Sequence, residues 1–571
     1  MAAAQLQRRL ERLYGSEHVT EILAQIDSLA ADHLRRRQPR RRAGLWDERD
    51  AILIAYGDSV QAPGERPLVT LADFRQRRLG DAFSVLHVLP FFPYCSDDGF
   101  SVIDYRLVNP ELGDWSDIAR LAEQGDLMVD LILNHASRES LWFADYRANI
   151  YPGRDYFIDM DPATNLSMVV RPRSTPLLTD VYTRRGRRFV WATFGWTQID
   201  LNFRNPHVLL ELIDILLQYA RSGARVIRLD AVAYLWKEPG TSCIHLWQTH
   251  EVVKLFRDLL SAVEPECLLL TETNVPHAEN VGYFGDGDEA HAVYQFSLPP
   301  LLLHALHTGS SRYLSSWARN LAPPPPGCTF VNFTASHDGV GLRPLEGLVP
   351  GEEQQVLLQG MKQRGGYVST RRNPDGSDTP YELNISYFEA LGDPSLATDS
   401  LHVPRFLLSQ LVPMTLQGIP AVYLHSLTAT PNDREGVERT GRTRSINRRK
   451  WDQAELDRLL DNPHSPAGQV FPRYLELLRL RRTQPALHPD ASQQVLDLGD
   501  ETFGVLRRRG SNGPALLALH NFTPFPQEAR LPEAMLPSHS QIEDALCGEV
   551  LDLGAGVVPL EPYQARWLLL A

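Results

Sequence analysis

Lysine is nearly absent from this chain and cysteine is sparse. Four lysines (Lys237, Lys254, Lys362, Lys450) stand among 57 basic residues, so arginine carries almost all of the positive charge. The bias is of the kind genomic base composition produces and carries no functional weight. The five cysteines (Cys95, Cys243, Cys267, Cys328, Cys547) contain no CxxC pair and no metal-ligand spacing, which fits a reducing compartment. No stretch reaches 18 apolar residues, and the N-terminal MAAAQLQRRLERL has no apolar segment. Neither membrane insertion nor secretion is expected, and the cytoplasm is the default. A net charge of −13 argues against nucleic acid as a partner.

What is present is an ordinary globular balance, 43% hydrophobic and 22% charged, over 571 residues, enough for two or three domains. The first 45 residues carry helical spacing: Leu6, Leu10 and Leu13, then Ile22, Ile26 and Leu29. The basic run Arg35 to Arg42 reads as a solvated linker rather than a nucleic-acid patch, given the acidic whole. Eight strand candidates follow, at 51–58, 84–92, 127–135, 225–232, 267–273, 291–298, 329–339 and 421–427. Helical patterns such as 207–220 and 252–263 lie between them. Strands and helices in alternation predict an α/β fold, a (β/α)8 barrel over 46–135 and 200–485. Two intervals are oversized. An inserted domain is expected at 136–199 after strand three, and a second insertion at 340–395 after strand seven, both on the face where barrel enzymes work. From 490 to 571 the pattern becomes short strands and turns, a C-terminal antiparallel β domain.

The chemistry sits at strand ends. VDLILNH (129–135), VIRLDAV (226–232), LLLTET (268–273) and VNFTASHDG (331–339) each close an apolar run with charged residues. Charges are costly to bury, so several at strand ends point to one shared site. Asp230 beside Arg228 is expected to stay ionised, as a nucleophile requires; a structural Arg–Asp pair is the plain alternative. Glu272 ends an apolar strand, where desolvation raises a carboxyl into general acid/base range; a cap or salt-bridge partner is the alternative there. His337 and Asp338 form an adjacent pair suited to gripping sugar hydroxyls. Asp130 and His135 flank strand three, where a lone His is more often structural. Two carboxylates in opposed environments are the machinery of glycoside chemistry, and a separation of about 5–5.5 Å makes it a retaining, covalent one.

In this order the segments resemble the four signature regions of the α-amylase superfamily of retaining glycosidases, over almost the whole chain. The resemblance implies Asp230 as nucleophile, Glu272 as acid/base and Asp338 as transition-state stabiliser, with Arg228, His135 and His337 lining the glucose subsite. LPFFPYCSDDGFSVIDY (89–105), RLDAVAYLWKEPGTSC (228–243), LPPLLLHAL (298–306) and YELNISYFEAL (381–391) are similar to the sucrose phosphorylase group, which transfers glucose to inorganic phosphate. That likeness places Asp97 and Arg448 on the glucose, with Phe194, Gln198 and Tyr234 beside the catalytic centre. Arg173 and Tyr381 fall on the phosphate or leaving group. A guanidinium offers a planar fork for such a dianion.

The acceptor loop departs from sucrose phosphorylase. Where that group has Asp and Tyr-Gln, this chain has Thr379 and Tyr381-Glu382, and its Glu-x-His is here Glu272-Thr273-Asn274. These stretches look closer to the branches that use glucosylglycerate or sucrose 6′-phosphate. The resemblance therefore implies a phosphorylase turning a small α-glucoside and phosphate into α-glucose 1-phosphate and a free acceptor, without metal or cofactor. Glucosylglycerate is the first choice of donor, then sucrose, then sucrose 6′-phosphate. A hydrolase or transglucosidase of the same superfamily is a rival, as is a non-catalytic amylase-like binding protein. Three intact carboxylates speak against the latter. Oligomeric state stays open, a homodimer included.

Overall fold

The computed structural model describes residues 2–37, 44–373, 375–396, 398–535 and 541–570. Eight parallel strands close into a barrel. In chain order they are β1 (Ile52–Ala55), β2 (Val85–Val88), β3 (Asp126–Ile132), β4 (Ala224–Asp230), β5 (Leu268–Thr271), β6 (Ala292–Tyr294), β7 (Thr329–Phe333) and β8 (Ile419–Tyr423). Each pairs with its sequence neighbours, and β8 returns to β1. Seven of the eight are buried at every position and β3 at all but its first, as strands walled by the core inside and by helices outside must be.

The sequence reading finds all eight strands but mostly runs past their C-terminal ends. The expected 421–427 includes a helical turn, Leu424–Leu427, and the expected 291–298 stops as a strand at Tyr294. The physical reason is that burial continues beyond the last ladder bond. An unbroken apolar run does not distinguish a strand from the buried turn that follows it.

Helices pack outside. Pro206–Arg221 starts where the Asn205 side chain accepts from the His207 N–H at 3.0 Å with Pro206 at its first position, and its apolar stripe faces the barrel. Two N-terminal helices, Ala2–Tyr14 and Val19–Arg36, lie over this layer. Arg9, almost fully buried, donates to Asp258 at 2.6 Å and to Glu251 at 3.4 Å. Of the basic run, Arg35 and Arg36 pair with Asp32 and Arg37 approaches Glu264, while residues 38–42 lie outside the described residues.

After β3 the chain makes a short antiparallel ladder between His135–Ser137 and Gln198–Asp200, which brackets the hairpin Leu178–Thr183 with Gly186–Trp191. After β7 it forms a three-stranded sheet from Val340–Gly341, Asp378–Asn384 and Tyr367–Arg372. A six-stranded antiparallel sheet ends the chain, built from Ser492–Leu496, Thr502–Arg508, Ala515–Asn521, Ala565–Leu570, Gln541–Asp544 and Glu549–Asp552.

The base of the barrel is tied by arginines to backbone carbonyls. Arg481, fully buried, donates to the carbonyls of Glu48, Asp50, Met414, Gly418 and Leu487 at 2.6–3.2 Å. Arg507 of the C-terminal sheet donates to those of Thr415, His488, Ala491 and Ser492. Burial lowers Arg481 to about 10, which leaves it charged at neutral pH. Arg481→Ala strands buried carbonyls around the starts of β1 and β8 and is expected to cost roughly 3 kcal/mol, the upper end for unmet buried polar groups. A urea midpoint within error of the parent would contradict this.

Candidate active site

The register of β3 against β4 sets the first element of the site. Asp130 lies opposite Arg228, and Ile132 opposite Asp230. Residues two apart on a strand share a face, so Arg228 and Asp230 emerge together. Arg228 Nη1 donates to Asp130 Oδ1 at 2.5 Å and to Asp230 Oδ1 at 2.7 Å. On the far side, His87 Nε2 is 2.6 Å from Asp130 Oδ2. Burial pushes the Asp130 carboxyl up, but His87 and Arg228 outweigh it and bring it down to about 2.

Asp230 and Glu272 are joined through the backbone. Ala231, held at φ +53°, donates its N–H to Glu272 Oε2 at 3.0 Å. Burial pushes the Asp230 carboxyl well up, with Glu272 and Asp130 adding to the effect against Arg228. This corrects the expectation that Arg228 alone keeps Asp230 low, because one guanidinium is divided between two carboxylates. Burial also raises Glu272, and the Asp338 charge adds to it. Neighbouring carboxyls of this kind titrate as a unit and retain a proton between them. Burial pushes Asp230 up further than Glu272, but of the two only Asp230 has a guanidinium in hydrogen-bond contact, and that contact places the proton on Glu272.

Asp338 is treated differently. Burial would raise it, but Arg444 at 2.6 Å, with His337 and Arg448 near, holds its carboxyl well below the usual range. Glu382, almost fully buried, accepts from Arg444 at 2.7 and 3.0 Å and from the Gly339 N–H at 2.6 Å. A Cβ at Gly339 would meet the Leu383 carbonyl at 2.3 Å, so this approach needs glycine. Arg448 Nη1 binds Asp98 Oδ2 at 2.6 Å and lies 3.7 Å from Asp97. Asp97 and Asp98 both have positive φ, and Gly99 follows at +110° with the Pro90 carbonyl where a Cβ would stand. Backbone strain concentrated on the rim of a charged cleft is typical of functional sites.

One wall is aromatic. His337 stacks on Phe100 at 4.7 Å. His135 Nε2 lies 2.9 Å from the Phe100 carbonyl and 3.2 Å from Gln198 Nε2. Phe194 packs on His135 and, edge-on, on Tyr234. The Arg173 guanidinium sits 5.7 Å from the Phe194 ring centre and 5.6 Å from that of Tyr381.

The structure brings Asp97, His135, Arg173, Phe194, Gln198, Asp230, Glu272, His337, Asp338 and Tyr381 around one cavity of about 60 Å³. Arg228, Glu382, Arg448 and Tyr234 stand behind its wall and hold its members. Thr379 does not line it. Thr379 pairs with Arg371 in the hairpin and accepts from Asn373 Nδ2 at 2.5 Å. Pro374, in the same loop, lies outside the described residues. Arg444, Asn274 and Phe100 also line the cavity and were not singled out as site residues. Arg444 follows no strand; it sits on the short turn Thr443–Asn447, and no spacing announces it. Asn274, two residues past Glu272, was legible as a departure from Glu-x-His.

The chain matches the family described as Alpha amylase, catalytic domain, over residues 79–318. It is 44% identical to the glucosylglycerate phosphorylase of Allomeiothermus silvanus, over 98% of this chain and 97% of that one. It is 41% identical to the glucosylglycerate phosphorylase of Escherichia coli strain K12, over 98% of each. Among solved structures, sucrose 6F-phosphate phosphorylase from Thermoanaerobacter thermosaccharolyticum superposes with a TM-score of 0.72 at 26% identity, covering 83% of this chain and 94% of that one. Likeness at this level over nearly the full length leaves one assignment: the chain belongs to the phosphorylase family of these relatives, within the α-amylase superfamily.

Proposed function

We propose that this chain is a retaining α-glucoside phosphorylase that converts glucosylglycerate and inorganic phosphate to α-glucose 1-phosphate and D-glycerate. The observation that carries the reading is Arg173. It lines the cavity of the three carboxylates between two aromatic rings, and it forms no ion pair with a carboxylate among the described residues. An uncompensated guanidinium beside such carboxylates serves to receive an anion. Full-length relatives named glucosylglycerate phosphorylase support the choice of donor.

In this reading Asp230 attacks the anomeric carbon while Glu272 gives its proton to the glycosidic oxygen, and glycerate leaves. The glucosyl ester on Asp230 then meets phosphate. Glu272 takes the phosphate proton, the phosphate oxygen displaces Asp230, and both carboxyls return to their starting states. Asp338, with Asp97, His135, His337 and Arg448, holds the sugar as charge develops. Arg173 holds the glycerate carboxylate first and phosphate second, with Tyr381 against its face. Phe194, Gln198 and Tyr234 keep that wall in place. Arg371 and Arg372 are each held in an ion pair, with Glu346 at 2.8 Å and Asp378 at 2.6 Å. That leaves them poorly placed to receive a sugar phosphate, which favours a small carboxylate as acceptor.

The test is synthesis from α-glucose 1-phosphate with a panel of acceptors. D-Glycerate is expected to release phosphate faster than fructose or fructose 6-phosphate. Arg173→Ala is expected to weaken phosphate use by about 1.5–3 kcal/mol, the scale of a hydrogen bond to a charged group, while slow hydrolysis survives. Faster release with fructose, or equal loss of hydrolysis and phosphorolysis in the variant, would overturn the reading.

The shared proton sets the pH profile. Because Glu272 is raised by burial, the proton is present at low pH and lost as pH rises through a value above that of an ordinary glutamate, about 4.3. The alkaline limb of kcat/KM is expected to report that loss. Glu272→Gln is expected to slow glucosylglycerate by about 10²–10⁴-fold and to spare α-glucosyl fluoride, whose leaving group needs no proton. An alkaline limb that persists with the fluoride in this variant contradicts the assignment.

A further inference from the structure

Glu382 is a buried carboxylate to which the reaction gives no task. It is 1% exposed and stands behind the catalytic cavity, not in it. The sheet after β7 sets its place, because its register puts Glu382 opposite Gly341. Glu382 Oε1 accepts from the Gly339 N–H at 2.6 Å and from Arg444 Nε at 3.0 Å, and Oε2 accepts from Arg444 Nη2 at 2.7 Å. All three partners are donors, so the position calls for a group that only accepts. An amide there would turn its NH2 against a guanidinium N–H. Removing one partner of such a buried pair leaves the other uncompensated.

The remaining nitrogen of Arg444, Nη1, is 2.6 Å from Asp338 Oδ1. Glu382 therefore reaches Asp338 by two routes, through Arg444 and through the backbone of Gly339, the next residue in the chain. The division of Arg444 between two carboxylates matters to the acid. Around Glu272 stand Arg228 and Asp230 from β4, Asp338 from β7 and Arg444 from its turn. Three phenols, of Tyr234, Tyr294 and Tyr381, face it as well. Besides burial, Asp338 pushes the Glu272 carboxyl up, while Arg228 and Arg444 draw it down. Arg444 also feels Asp97 and Arg448. While Asp338 engages the sugar, Glu382 is the carboxylate that stays on Arg444.

We propose that Glu382 is a positioning residue for the catalytic proton. It fixes the Arg444 fork so that Nη1 meets Asp338, and it compensates the Arg444 charge so that Glu272 keeps its proton for the departing glycerate. The inference rests on the reading of Glu272 as the acid.

The test is the pH profile of kcat/KM for glucosylglycerate at saturating phosphate, in the full-length parent and three variants. Glu382→Gln keeps the shape and an acceptor for the Gly339 N–H but leaves Arg444 uncompensated. Its alkaline limb is expected to move down by roughly one pH unit, the lower end for one neighbouring charge. Arg444→Gln removes the cation and is expected to move the limb up by a similar amount. Glu382→Asp keeps the charge on a shorter arm and is expected to lose rate but leave the limb in place. A role in packing alone would lower the rate or the Tm of all three without moving the limb. The two charge changes are independent, so either variant decides the matter if the other does not fold. A limb that stays with the parent in Glu382→Gln or Arg444→Gln, or that moves as far in Glu382→Asp as in Glu382→Gln, overturns the proposal. A parent without an alkaline limb overturns the reading of Glu272, and this inference with it, before any variant is compared.

Discussion

The site depends on one guanidinium shared between two carboxylates. Arg228, buried at the end of β4, spans Asp130 on β3 and Asp230 on its own strand. A buried cation with one carboxylate is a closed pair; with two it leaves the second partly uncompensated. His87 completes the balance from β2, drawing Asp130 down and leaving Asp230 as the carboxylate whose charge is least settled. A nucleophile needs that state: ionised, yet not fully neutralised by its neighbour.

The other carboxylates divide by their cations. Asp338 has Arg444 in contact and Arg448 close, and it stays ionised through ordinary pH. Glu272 accepts from the Ala231 N–H, has no guanidinium in hydrogen-bond contact among the described residues, and keeps the proton. Three acidic groups in one cavity thus hold different protonation states because the arginines are distributed unevenly among them. The strained rim at Asp97, Asp98 and Ala231 reflects the same demand, since backbone that bends this sharply brings groups from several strands to one point.

Much of this was legible in the residues. The eight strands, the closed barrel and the carboxylates at strand ends follow from apolar runs that finish in charge, because a barrel of parallel strands gathers those ends on one face. Strand lengths were not legible, since the buried turns beyond β6 and β8 are as apolar as the strands. Nor was Arg444, which reaches Asp338 from a turn with no periodic signal. That Asp230 is pushed up rather than held low was not legible, because the motif RLDAV shows the Arg but not that Asp130, nearly a hundred residues earlier, shares it. Thr379 looked like a site residue by its place in the loop, yet the hairpin register turns it to Asn373.

The central claim is that Asp230 and Glu272 act in two displacements with a covalent glucosyl ester between them. Stereochemistry tests it directly. The first product of phosphorolysis, followed by ¹H and ³¹P NMR before any anomerisation, is predicted to be α-glucose 1-phosphate from the α-glucoside. Formation of β-glucose 1-phosphate would mean a single displacement and would contradict the account.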